Sequence, residues 1–147
     1  MTKILHSADI QVKNREISLY SGYRKSLNEI ETATKATKAE ILILAGDLFE
    51  YAIPNESERR LIYNWLSKLL NVKTLKEIVL IPGNHDLEKE NKRINDSIHI
   101  ESNSLSIYSD LLKNLDEEKS QKLIYSPIST ITQSKVNTNI FNGLRFA

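Results

Sequence analysis

Ile41-Leu42-Ile43-Leu44-Ala45-Gly46-Asp47-Leu48-Phe49-Glu50 is the stretch on which the reading of this chain turns. An unbroken aliphatic run with no alternation fits a strand covered on both faces, as in a parallel sheet. Gly46-Asp47 then closes it with a turn dipeptide. Two other stretches repeat the plan. Ile4-Leu5 leads to Ala8-Asp9-Ile10-Gln11, and Ile78-Val79-Leu80-Ile81 leads to Pro82-Gly83-Asn84-His85-Asp86. If the three runs are parallel strands of one sheet, Asp9, Asp47, Asn84 and His85 emerge together at its carboxyl edge, where open α/β sheets bind ligands. Two carboxylates, an amide oxygen and an imidazole converging there are what a pair of divalent metals needs.

The segments between the runs support that arrangement. Tyr23, Leu27, Ile30 and Ala33 recur at three- and four-residue spacing and predict an amphipathic helix over 21–37, after a polar loop over 12–20. Leu61, Ile62, Trp65, Leu66 and Leu69 stack on one face of a helix reaching about residue 70, which makes Trp65 a core residue. Asn55, with Glu58 three residues on, forms a capping box at its start. The order β-loop-α-β-loop-α-β-loop is the layout of a parallel sheet with right-handed crossover helices. Residues 88–103 are rich in Lys, Asn and Glu and read as a long polar loop with a helical turn. A helix then resumes near Ser104 with Leu105, Tyr108, Leu111, Leu112 and Leu115 in register. Residues 122–125 read as a further strand, 133–139 are polar, and 143–147 look like the opening of another strand.

Composition narrows the classes. At 147 residues and 40% hydrophobic content the chain has one domain's length and can bury a core. The absence of Cys removes disulfides, thiolate zinc sites and cysteine nucleophiles, and fits a reducing compartment. No apolar run reaches a membrane span and no secretory signal precedes the first strand, so the expected location is the cytoplasm. A formal charge of +1 neither favours nor excludes nucleic acid, for which clustering matters more than the total.

The three turns in this order resemble the calcineurin-like metallophosphoesterases, whose pattern begins Asp-x-His, Gly-Asp, Gly-Asn-His-Asp/Glu. Within that superfamily Lys3-Ile4-Leu5-His6-Ser7-Ala8-Asp9, Ala45-Gly46-Asp47-Leu48-Phe49-Glu50 with Pro54-Asn55-Glu56, and Ile81-Pro82-Gly83-Asn84-His85-Asp86 are similar to the SbcD-type DNA-repair nucleases. The similarity covers residues 3–90. It implies an α/β fold, the four-layer α/β/β/α sandwich of the family, with 1–147 as its truncated N-terminal half: a motif-bearing core over 3–90, the polar loop over 88–103, and a helix and the start of the second half over 104–147.

Carried over by that resemblance, Asp9 would bind the first metal, Asp47 would bridge both, and Asn84 would bind the second. His85 would sit over the scissile phosphate as the catalytic group, with Asp86 orienting its neighbours. Gln11 stands where the family has His and would be a weaker ligand. The implied cofactors are two divalent ions, manganese for preference, and the implied partners are DNA, an SbcC-like ATPase subunit and a second copy of the chain, with residues 61–70 contributing to the dimer. A phage source, and so a host cytoplasm, fits the same picture. The family's later His and Gly-His-x-His ligands have no counterpart, because the other histidines are His6, read as a packed or capping residue of the first strand, and His99, read as a solvated loop residue.

Two readings stand beside the nuclease. One is a catalytically inactive fragment serving as an interaction module for an ATPase or DNA. The other is a phosphoesterase for small nucleotides. Lys13, Arg15, Lys89, Lys92 and Arg93 fall in loops on the motif side, where they are solvated charges or contacts to DNA phosphates.

Overall fold

The computed structural model describes residues 1–13, 17–83, 85, 92–94, 97–99 and 103–126. In it the three apolar runs are neighbouring parallel strands, β1 (Ile4–Ala8), β2 (Ile41–Ala45) and β3 (Glu77–Ile81). Ala8 pairs with Ala45 and Ala45 with Ile81, so the three strands end level. That register brings the turns after them to one rim. A fourth strand, β6 (Leu123–Tyr125), adds in parallel to the far side of β3, giving the order β1-β2-β3-β6.

The two faces of the sheet differ. Leu42, Leu44, Ile78, Leu80 and Leu123 lie on one face and are all buried. On the other face Ile41 and Val79 are buried, Ile43, Ile81 and Ile124 are half-buried, and Ile4, His6 and Ala8 are exposed. His6 is therefore an exposed residue of β1, not the packed residue expected, because alternation along a strand turns it away from the helices.

Helix α1 (Ile17–Thr37) begins earlier than the spacing at 21–37 predicts. Ile17 and Tyr20 continue the three-residue spacing of Tyr23, which a reading of the polar residues around them overlooks. Its neighbour α2 (Glu56–Leu70) opens on the expected capping box. The Glu58 N–H donates to Asn55 Oδ1 at 2.9 Å, and the Asn55 N–H donates to Glu58 Oε2 at 2.7 Å. Two of the amide groups that every helix start leaves unpaired are satisfied reciprocally. Leu61, Ile62, Trp65, Leu66 and Leu69 are all buried, and Trp65 Nε1 donates to the Leu27 carbonyl at 2.9 Å, tying α2 to α1. Burying each large apolar side chain of this kind stabilises the fold by roughly 1.5–3 kcal/mol.

Beyond β3 the stretch expected to be a polar loop contains an antiparallel pair, β4 (Lys92–Ile94) and β5 (Ser97–His99). His99 is consequently a strand residue. Helix α3 (Asn103–Leu112) then packs against α2 and β6, burying Ile107 and Leu111. Ile107 is an addition to the predicted stripe. A short helix, α4 (Glu117–Lys122), was not expected. The Lys119 N–H donates to Asp116 Oδ1 at 2.8 Å, so Asp116 caps it and turns the chain into β6. The polar segment at 133–139 and the strand expected at 143–147 lie outside the described residues. No helix among the described residues is long and apolar enough to cross a membrane.

Candidate active site

The turn after β1 does not leave the sheet at once. The Asp9 N–H donates to the Ala45 carbonyl at 3.3 Å and the Gln11 N–H to the Asp47 carbonyl at 2.8 Å. Val12 donates to the Leu48 carbonyl at 3.0 Å and accepts from the Glu50 N–H at 3.1 Å, so Val12 and Phe49 form a parallel bridge. Both side chains are fully buried. The start of the expected polar loop over 12–20 is thus stitched to the turn after β2, and Val12, a β-branched residue ahead of four polar ones, was its one sequence signal. The Gly46 N–H donates to the Ile81 carbonyl at 2.8 Å, which ties that turn to the end of β3.

Backbone strain collects in these turns. Asp9 has φ 52°, Gln11 φ 49° and Asp47 φ 30°. The one other non-glycine residue with positive φ among those described is Lys38, just past α1. Each such residue costs roughly 1–3 kcal/mol and persists where its surroundings hold it, most often at ligand sites. Gly46, at φ 78°, takes the same region without a Cβ penalty.

Two missing side chains make room for the carboxylates. A Cβ on Gly83 would stand 2.1 Å from Asp47 Oδ1 and 2.3 Å from the Asp47 amide nitrogen, so the turn after β3 lies directly on Asp47. A Cβ on Gly46 would stand 3.3 Å from Asp9 Oδ1 and 3.9 Å from Gly83 Cα. Asp9 therefore lies against Gly46 and Asp47 against Gly83, and the two glycines face each other, although 37 residues stand between the two aspartates in the chain.

Asp47 is 5% exposed, and its Oδ1 accepts the His85 N–H at 2.8 Å. An ionised acceptor makes this a strong bond of its kind. The His85 ring is fixed from another side, since Nδ1 lies 2.7 Å from the Glu50 carbonyl oxygen. A carbonyl can only accept, so Nδ1 carries the proton, and Nε2 is the atom left to take or hold one. Glu50 was quoted in the second motif without a role; its carbonyl is the group sequence reasoning missed, and a backbone contact leaves no side-chain signature.

Of the predicted site residues, Asp9, Asp47 and His85 come to one rim, with Gln11 joined to Asp47 through the backbone. Asn84 and Asp86 lie outside the described residues. Lys13 follows Val12 on the same side, Lys92 and Arg93 are in β4 rather than a loop, and Arg15 and Lys89 lie outside the description. Asp9 and Asp47 bring two carboxylates to this rim, and oxygen donors suit hard divalent ions such as magnesium or manganese. The donors present fit such an ion. Among the described residues no cluster of three or more His, Asp or Glu completes a cation shell.

The family model for calcineurin-like phosphoesterases matches residues 2–142. No curated protein matches the chain.

Proposed function

This chain belongs to the calcineurin-like phosphoesterases, a family of metal-dependent phosphoester hydrolases, and on that premise we propose that it serves in cleavage of DNA phosphodiesters, as the nuclease subunit of an SbcCD-like repair or recombination complex. Asp9 and Asp47 would anchor divalent ions, manganese for preference, with Gln11 and Asn84 as neutral oxygen ligands. Such ions would supply Lewis-acid stabilisation of phosphate charge and a water made more nucleophilic. Asp47 holds the backbone at His85, the Glu50 carbonyl orients its ring, and Nε2 is the atom available to the phosphate or the leaving oxygen. Asp86 would support these groups from behind. A phosphodiester substrate, a host-cell cytoplasmic location and an ATPase partner all follow from the resemblance of the three motifs to the SbcD-type enzymes.

The observation that carries this reading is the Asp47–His85 hydrogen bond beside Asp9, which assembles residues from three separate turns on one rim. The test is hydrolysis of bis-p-nitrophenyl phosphate and of a labelled oligonucleotide with manganese. His85→Ala is expected to lower turnover by at least ~100-fold, in the range of a lost acid–base group, while manganese binding by calorimetry persists. Full activity in His85→Ala would remove the assigned role.

A second reading has its own support. The sequence holds three histidines in all, and neither His6 nor His99 stands in a motif resembling the family's remaining ligands. An inert module that binds an ATPase or DNA would show no manganese binding at micromolar concentration and no hydrolysis. A small-nucleotide phosphoesterase would cleave the chromogenic diester and nucleotides but leave the oligonucleotide intact.

A further inference from the structure

Between α1 and α2 runs a half-open groove of about 1060 Å³, separate from the motif residues. Its polar walls are two helical rows. Arg60, Asn64 and Lys68 stand four residues apart along α2, and Arg24 and Asn28 stand four apart on α1. Residues at that spacing stack on one helix face, about 6 Å apart along the axis. All five are exposed. Leu27, Leu61 and Trp65 form the floor and are already buried, with the indole N–H engaged by the Leu27 carbonyl.

Charge separates this groove from the rest of the molecule. Arg24, Arg60 and Lys68 against Glu56 leave it at +2 (three cations, one anion), whereas the whole chain is +1. Arg60 pairs with Glu56, but their side chains are 67% and 83% exposed, so the pair is open to exchange with another anion. One end of the groove comes just after a rim turn in sequence. Asn55, Glu56 and Ser57 at its upper end follow the turn in which the Glu50 carbonyl holds His85.

We infer that this groove binds the phosphate backbone of a nucleic-acid strand passing the rim, an inference that rests on the phosphodiesterase reading for its substrate. A protein partner fits less well, because tight protein contacts need aromatic or aliphatic anchors and here the apolar floor is already covered. A backbone needs only cations and amide donors. From Arg60 to Lys68 is about 12 Å, long enough for the two cations to meet different phosphates of one strand.

The experiment is fluorescence anisotropy with the full chain and a labelled oligothymidylate, across a series of salt concentrations, beside hydrolysis of bis-p-nitrophenyl phosphate. Arg60→Gln with Lys68→Gln is expected to weaken oligonucleotide binding roughly tenfold and to reduce the salt slope by about 0.7 per cation removed. Lys68→Arg is expected to keep the slope, Lys38→Gln outside the groove to leave it unchanged, and hydrolysis of the small diester to be unaffected by all four substitutions. An unaltered slope in the double variant, or no oligonucleotide binding by the parent chain, overturns the groove. A loss of slope with binding of an acidic peptide but not of oligonucleotide overturns it in favour of a protein partner. If the slope falls as expected while neither oligonucleotide nor small diester is hydrolysed, the groove stands and the enzymatic reading fails.

Discussion

The rim of turns and the first turn of α2 follow opposite rules, although only a few residues separate the middle turn from the helix. At the helix start each local preference is met: Asn55 is extended at φ −77° and ψ 169°, and its side chain and that of Glu58 satisfy each other's amides. At the rim, Asp9, Gln11 and Asp47 are held in a region that L-residues avoid, and Gly83 is wedged against a carboxylate. The contrast shows where the fold gains stability and where it spends some of it. Such strained residues gather most often at ligand sites, and three of the four found among the described residues lie on this rim.

The sharpest way to break that contrast is Gly83→Ala. The new methyl would collide with both the side chain and the backbone nitrogen of Asp47, and backbone cannot step aside cheaply. Overpacking of this kind costs about 1–3 kcal/mol, and the displaced turn carries His85 with it. Thermal unfolding is expected to show that loss, and manganese-dependent hydrolysis to fall by at least ~100-fold, as a misplacement of about 1 Å does. Wild-type rates in this variant would show that the close packing of Gly83 on Asp47 does not position the reacting groups.

At the helix start the same experiment should read differently. Asn55→Ala removes the cap and leaves the Glu58 amide unpaired, at a cost of about 1 kcal/mol. The melting temperature is expected to drop by a few degrees, with hydrolysis per folded molecule unchanged. A large loss of activity would mean that the cap and the rim are one mechanical unit.

The smallest effect lies at the opposite end of the strands, where Lys76 before β3 donates to Glu40 before β2. That hydrogen bond, chiefly, holds the Glu40 carboxyl below its usual value. A lowered value means the contribution is complete above the ordinary carboxylate range and disappears as pH falls through the lowered one. Lys76→Met should return the Glu40 titration to the usual range by NMR. Because the Lys76 side chain is 72% exposed, stability at neutral pH should hardly move.

Much of the fold was legible in order and spacing. The run at 41–45, the leucine stripe of α2 and the Asn55–Glu58 pair each carry their own periodicity or chemistry, and each forms the element expected. The misses share a cause. Val12, the early start of α1 and the β4–β5 pair lie in stretches where polar residues outnumber apolar ones, so periodicity is faint there, and Val12 in addition takes its partner from a distant turn. His6 was misjudged for a related reason: a strand's composition does not say which of its faces the helices cover.

The sequence alone determined that three strands end in polar turns bearing Asp9, Asp47 and His85, because alternation of apolar runs with turn residues is a local property. Only the tertiary structure decided that those turns share a rim, that Gly46 and Gly83 clear space for the two carboxylates, and that the Glu50 carbonyl holds the His85 ring. These are contacts across dozens of residues, fixed by strand register, which is not written in the order of the residues around them.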